Sequence, residues 1–277
     1  MVETVAARFA EVVVVLVTGG GKSLTFMVPM FLRQASTTVV VVPLVALKQD
    51  LVPRCWNAGI EYSVWEAHGD RERYTGVQLL FVTAEQAVRS VFREFLGRLD
   101  ANRQLDRVVF DEAHLILTAS EYRPKMALLR FLRDLRCQAV FLSATLPPIL
   151  MEQFQQRMFL EQPQVIRDVT FRRDIHYIIR QQVDTGDFIS HCVNVIQGAM
   201  GFVKEKERVI VYVNSREDAR TLASELECES FYSDSGSMEE KEQVTARWRD
   251  GVHRVIVAAS AFGAGVDYAR LVAEGNM

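Results

Sequence analysis

Apolar residues in this chain come in short unbroken runs, separated by stretches with helical spacing. Val12-Val13-Val14-Val15-Leu16-Val17 is the clearest run, and Thr37 to Val42 is a second, closed by Pro43. Val77 to Val82 (broken at Gln78), Arg107 to Phe110 (apolar from Val108) and Ala139 to Leu142 follow the pattern. Runs of this kind read as strands buried on both faces, as in a parallel sheet. Between them lie helical stretches. Leu24, Met27, Val28 and Phe31 fall at i, i+3, i+4 and i+7, with Pro29 inside the pattern, where it weakens or kinks a helix. Val45 to Ala58 (interrupted at Pro53), Thr83 to Leu99 and Lys125 to Leu135 also read as helices, and another begins at Pro147-Pro148. Strands alternating with helices predict an α/β fold with a largely parallel sheet flanked by helices.

Gln162 to Asp174 lacks helical periodicity, carries Arg167, Arg172 and Arg173, and reads as a connector. A second α/β block follows. Its strands are Ile175 to Val183, Arg208 to Val213 and Arg254 to Ala258, and its helices are Ile189 to Val203, Arg216 to Leu226 and Met238 to Asp250. The predicted domains are 1–165 and 166–277.

The chemistry sits where the strands end, which is where parallel sheets bind ligands. The first run leads into Thr18-Gly19-Gly20-Gly21-Lys22-Ser23. Strand, glycine loop, Lys-Ser and helix is the arrangement of a phosphate-binding loop. Glycines let backbone N–H groups curl around phosphate, Lys22 reaches the β/γ-phosphates, and the Ser23 hydroxyl holds Mg²⁺. The common motif has a further glycine where this chain has Leu16. Asp111 and Glu112 follow the fourth strand. Adjacent carboxylates beside a buried strand need a positive partner, and a Mg²⁺–nucleotide complex supplies one. Asp111 would hold the metal, and Glu112 would orient and deprotonate the attacking water. Ser143-Ala144-Thr145 closes another strand, where Ser143 and Thr145 could bond His114 and relay nucleotide state. Alone, that tripeptide is a turn with a helix cap.

Composition changes this picture little. The 277 residues are 49% hydrophobic and 24% charged, which describes a soluble globular protein. No apolar run is long enough to span a bilayer. Net charge is −3, so nucleic acid would need a local groove. Cys55, Cys137, Cys192 and Cys228 form no Cys-x-x-Cys pair, and the histidines have no metal-ligand spacing. Trp56, Trp65 and Trp248 read as core packing.

The order of these motifs resembles helicase superfamily 2, and within it the RecQ-like DNA helicases. Thr18 to Ser23 resembles motif I, Val42 to Asp50 motif Ia, and Val82-Thr83-Ala84-Glu85 motif Ib. Asp111-Glu112-Ala113-His114 resembles motif II, Ser143 to Thr145 motif III, and Tyr212 to Arg216 motif IV. Ala261-Phe262-Gly263-Ala264-Gly265-Val266-Asp267 is close to the motif V that separates RecQ-like enzymes from RNA helicases. The resemblance covers nearly the whole chain, and the wording around the motifs is similar to divergent fungal members. It implies two RecA-like domains with ATP between them, the second incomplete, and single-stranded DNA crossed 3′ to 5′. It also implies that Gly263 and Asp267 join the nucleotide site. Pro43, Leu44, Gln49, Thr83, Glu85, Asn214 and Arg216 become DNA contacts, and a nuclear location follows from a eukaryotic placement, a cytoplasmic one otherwise.

Three departures qualify that expectation. Only 21 residues precede Lys22, and none is the adenine-recognising glutamine of the family. The aromatic-rich loop after motif II retains only Tyr122 and Arg123 as coupling residues. The chain ends at Met277 without motif VI, whose arginine finger is worth about 10³–10⁵ in rate. The pattern is that of a helicase core clipped at both ends, holding ATP and Mg²⁺ but hydrolysing slowly alone. The competing reading is a non-catalytic remnant that binds nucleotide, DNA or a partner without turnover.

Overall fold

The computed structural model describes residues 1–31, 36–42, 51–52, 54–67, 71–118, 128–170, 188–232, 234–259 and 271–274. The chain divides into two compact units, Met1–His176 and Tyr177–Met277.

Among the described residues, the first unit holds strands β1 (Glu11–Val15), β2 (Thr37–Val42), β3 (Tyr62–Val64), β4 (Leu79–Thr83), β5 (Leu105–Phe110), β6 (Gln138–Ser143) and β7 (Gln164–Arg167). They form one sheet in the order β3-β4-β2-β5-β6-β1-β7, with every pairing parallel. The valine runs are buried on both faces because their side chains alternate between two cores. Val13 and Val15 join one cluster, with Val39, Val41, Phe110 and Phe141. Val12 and Val14 join the other, with Val40, Val42, Phe26 and Phe81. Phe110 and Phe141, on neighbouring strands, stack at 4.6 Å. β7 falls inside the stretch expected to be a connector and carries the first unit beyond residue 165. Like β3, it is a short edge strand with little burial, so it lacks the apolar run that marks the others.

Two helical expectations change. Thr83 to Leu99 is two helices, Ala84–Ala87 and Ser90–Ala101, because Arg89 is extended at φ −73° and ψ 143°. The second buries Phe92, Phe95, Leu96 and Leu99 at the i, i+3, i+4, i+7 spacing. In the segment expected as helix from Lys125 to Leu135, Leu129–Asp134 is a 3₁₀ helix. Trp65 packs among Tyr74, Phe92 and Phe95 and Trp248 is fully buried, as expected, but Trp56 is 77% exposed.

At the opposite end of the sheet from the motif loops lies a buried polar network. Arg107, 1% exposed, donates from Nε to Gln138 Oε1 (3.0 Å) and from Nη1 to Thr38 Oγ1 (3.5 Å). Gln138 Nε2 in turn donates to the carbonyls of Val5 (3.1 Å) and Phe9 (2.8 Å), fastening the first helix, Val2–Ala6, to the sheet. Burial lowers the Arg107 pKa from its ordinary value.

The second unit, among the described residues, contains β8 (Arg208–Val213), β9 (Glu229–Phe231), β10 (Val255–Ala259) and β11 (Leu271–Glu274). The order is β11-β8-β10-β9, again all parallel. Helices Phe188–Met200, Arg216–Glu225 and Met238–Asp250 accompany the sheet. Ser237 and Glu240 close a capping box at the start of the last. At its end the buried Arg208 donates to the carbonyls of Trp248 (2.8 Å) and Arg249 (3.2 Å), satisfying acceptors a helix C-terminus leaves open. Gly251 ends that helix at φ +87°.

Candidate nucleotide site

In the first unit, the residues expected to bind nucleotide or to relay its state lie after three neighbouring strands, β5, β6 and β1. Leu16 N–H donates to the Ser143 carbonyl (3.1 Å), so the loop after β1 is pinned to the end of β6 from its first residue. Gly20 N–H then turns back to the Val17 carbonyl (2.9 Å). Gly19 and Gly21 both adopt φ +79°, a conformation side-chain-bearing residues avoid. A Cβ on Gly20 would stand 2.9 Å from the Val17 carbonyl oxygen. Thr18, Gly19 and Gly20 are exposed, with Gly21, Lys22 and Ser23 half-buried.

Lys22 folds into this loop. Its Nζ donates to the carbonyls of Leu16 (3.2 Å) and Val17 (3.1 Å). Thr25 Oγ1 donates to the Lys22 carbonyl at 2.6 Å. The helix that follows is short: Leu24–Met27, continued as a 3₁₀ turn Val28–Phe31. Pro29 has no N–H to continue the α-helical ladder. The buried face is therefore Phe26, Met27 and Met30, while Leu24, Val28 and Phe31 of the expected stripe are exposed. So short a helix contributes less macrodipole to a phosphate than the sequence pattern suggests.

The loop after β5 is clamped from both sides. Asp111 N–H donates to the Val41 carbonyl of β2 (3.0 Å), and Ala113 N–H to the Leu142 carbonyl of β6 (2.8 Å). Between these anchors Glu112 is forced to φ +48°, a left-handed conformation that a glutamate reaches at a cost of about 1 kcal/mol or more. Asp111 Oδ1 accepts from Glu112 N–H at 3.0 Å. Burial, and then the charge of Glu112, push the Asp111 carboxyl up from 3.8 to about 6, against a smaller pull from Lys22 and His114.

His114 connects this loop to β6. Its Nδ1 lies 3.0 Å from Ser143 Oγ and 3.3 Å from Glu112 Oε2. Ser143, 1% exposed, also accepts from Thr145 N–H at 3.1 Å. The Thr145 side chain itself is exposed. Asp111, Glu112, His114 and Ser143 thus form one connected constellation, with Lys22 near enough to attract the Asp111 carboxylate. Its backbone parts escaped sequence reasoning: the Leu16 and Val17 carbonyls that hold Lys22, and the left-handed Glu112.

Other expected site residues stand apart. The Thr83 hydroxyl caps helix Ala84–Ala87, accepting from Gln86 N–H at 3.3 Å, and Glu85 is half-buried. In the second unit Asn214 is exposed, and Arg216 is ion-paired with Asp234. Pro43, Leu44, Gln49, Tyr122, Arg123, Gly263 and Asp267 lie outside the described residues.

The profile of DEAD/DEAH box helicases matches residues 2–153, and that of the helicase conserved C-terminal domain matches residues 190–274. The chain is 30% identical to mouse ATP-dependent DNA helicase Q5, over 96% of this chain and 30% of that protein. It is 24% identical to ATP-dependent helicase SGS1 of Saccharomyces cerevisiae, over 93% of this chain and 19% of that protein. The chain therefore spans less than a third of either relative. Among solved structures, the DUF1998 helicase MrfA bound to DNA matches with a TM-score of 0.68 at 14% identity, over 96% of this chain and 40% of that one. S. cerevisiae Dbp5 bound to RNA and ADP BeF3 matches with a TM-score of 0.60 at 14% identity, over 90% of this chain and 66% of that one. Those structures share the helicase fold of parallel sheets flanked by helices. The glycine loop, the Asp-Glu-Ala-His loop and the matched profiles converge: the chain belongs to the DEAD/DEAH box helicase family, and its likeness within that family is to the RecQ-like DNA helicases.

Proposed function

We propose that this chain is the motor core of an ATP-dependent DNA helicase, coupling ATP hydrolysis to 3′–5′ movement on single-stranded DNA and to strand separation. The observation that carries the proposal is the convergence of Lys22, Asp111, Glu112 and the His114–Ser143 contact after three adjacent parallel strands.

Asp111 is a half-buried carboxylate beside a second carboxylate, and its raised pKa marks a position that favours a cation. Together with the Ser23 hydroxyl it offers the hard oxygen donors that suit Mg²⁺. Mg²⁺ bound there would neutralise charge on the β- and γ-phosphate oxygens. Thr18 to Ser23 present backbone N–H groups to the phosphates. Lys22 exchanges its two carbonyl partners for phosphate oxygen. Glu112 orients the attacking water and holds its proton. His114, between Glu112 and Ser143, is a positioning residue that ties the carboxylate to the end of β6. Pro43, Leu44, Gln49, Thr83, Glu85, Asn214 and Arg216 are the DNA contacts of this reading, Gly263 and Asp267 join the nucleotide, and Tyr122 and Arg123 couple the two. A nuclear role in DNA repair or recombination follows from the eukaryotic relatives.

The test is ATP hydrolysis with and without single-stranded DNA, beside Lys22→Ala and Glu112→Gln. DNA-stimulated turnover lost in both variants supports the motor. Nucleotide binding without turnover in the parent chain replaces the motor with a non-catalytic remnant.

A further inference from the structure

Away from the motif loops, the first unit has a cleft of about 450 Å³ between helix Ser90–Ala101, the 3₁₀ turn Leu129–Asp134 and the end of helix Met151–Met158. Two arginines in its wall are each stacked on a phenylalanine. The Arg93 guanidinium lies 4.4 Å from the centroid of Phe131, and that of Arg130 lies 5.7 Å from the centroid of Phe159. Val88 and Leu128 add apolar surface, and Asp134 is the acidic residue among the described lining. Among the described residues of the lining, two arginines stand against one aspartate, in a chain whose overall charge is −3.

Phe159 is unusual in its own right. It caps helix Met151–Met158 in the left-handed conformation, φ 51° and ψ 46°, a place where glycine is the usual residue and a bulky side chain is strained. It is also 62% exposed. Neither core packing nor backbone preference accounts for a phenylalanine there. It forms a ridge between the basic cleft and a second cleft of about 440 Å³ lined by Glu152, Gln155 and Glu161.

We propose that this cleft docks a segment of a partner protein in which acidic residues alternate with aromatic or aliphatic ones. A guanidinium stacked on a ring has one face shielded and its N–H edge held in place, ready for bidentate pairing with a carboxylate. The exposed Phe159 and Leu128 provide the apolar contact beside it, and exposed aromatics with arginine are the composition of interface anchors. A nucleic-acid strand is disfavoured by the Asp134 carboxylate and by the four apolar side chains of the described lining, where phosphate contacts call for a row of donors.

The experiment is fluorescence anisotropy on the full chain with a fluorescein-labelled peptide, Ser-Gly-Asp-Phe-Asp-Leu-Asp-Phe-Gly-Ser. Its analogue with lysine for aspartate and a labelled ten-nucleotide thymidine strand are the comparison probes. The acidic peptide is expected to bind and the lysine analogue not. The double variant Arg93→Glu/Arg130→Glu should lose about tenfold or more in affinity. Phe159→Gly should also weaken binding while its thermal unfolding moves up, because the strained cap is relieved. That opposition separates a docking role from a structural one. No binding of the acidic peptide, or equal binding by the parent chain and both variants, overturns the proposal. Thymidine binding lost on the arginine substitutions would make the cleft a nucleic-acid groove instead, which overturns it as well.

Discussion

Replacing Asp111 by asparagine should stabilise the nucleotide-free chain while abolishing its response to Mg²⁺–ATP. The carboxyl is raised from 3.8 to about 6, first by burial and then by the charge of Glu112. At about 1.4 kcal/mol for each tenfold change in proton affinity, ionising it costs the folded state about 3 kcal/mol. The sign follows from linkage. A carboxyl whose pKa is higher folded than unfolded keeps its proton longer in the folded state. The penalty is therefore absent below about pH 4, grows as pH rises towards 6, and is complete above that. Asparagine keeps an oxygen that can accept the Glu112 N–H bond seen at 3.0 Å, so the substitution removes charge and little else. The opposing pulls of the Glu112 N–H bond, Lys22 and His114 are already contained in that net shift, so about 3 kcal/mol is the working expectation. Urea unfolding of both chains at pH 4.5 and pH 7.5 reads the difference directly. The Asp111→Asn chain should be the more stable at pH 7.5, and the gap should shrink to about 1 kcal/mol at pH 4.5. Saturating Mg²⁺–ATP should then raise the stability of the parent chain only, by the usual binding linkage. An Asp111→Asn chain less stable than its parent at pH 7.5, or a difference independent of pH, would refute the reasoning.

Other parts of the structure can be tested in the same spirit. Gly251→Ala places a Cβ 2.3 Å from Arg208 Nη2 at φ +87°, so the second unit should lose about 1–3 kcal/mol in chemical denaturation. Arg107→Met exchanges a buried cation held by neutral partners for an apolar side chain of similar length. It should change stability by less than about 1.5 kcal/mol, whereas Arg107→Ala, which leaves a cavity and unpaired polar atoms, should cost about 3 kcal/mol. His114→Ala and Ser143→Ala should each lower DNA-stimulated ATP turnover, and the double variant should be little worse than either alone, since both remove one contact. Additive losses in that cycle would separate the two residues.

The valine strands were legible because both their faces are buried, so β1 and β2 appear in the sequence as uninterrupted apolar runs. Edge strands escape that logic. Tyr62–Val64, Gln164–Arg167 and Glu229–Phe231 are short and incompletely buried, and their composition says little. The motif residues Lys22, Asp111, Glu112, His114 and Ser143 were legible from chemistry at strand ends. Their arrangement depends on long-range backbone bonds that no local pattern encodes, such as the paired anchors to Val41 and Leu142 that twist Glu112. The helix after the glycine loop shows a third kind of limit. Its apolar spacing was real, but the 3₁₀ turn at Pro29 changed which residues face the sheet, and Phe26, Met27 and Met30 went inside. Trp56 shows that a large aromatic side chain is not by itself evidence of burial.

The strand order has a consequence for how the protein comes to exist. β1 precedes every other described strand, yet its partners are β6 and β7, with Val12 beside Val140 and Gln164. On the ribosome the N-terminal valines therefore wait, unpaired on both edges, while more than a hundred residues of chain are synthesised. Contacts so distant in sequence form slowly. A waiting run of β-branched residues with low charge is a ready template for the wrong neighbour. The glycine loop that would cradle phosphate hangs from that same strand. The candidate nucleotide site is thus among the last parts of the first unit to assemble, and a nascent chain cut short before β6 lacks the strand that anchors its loop.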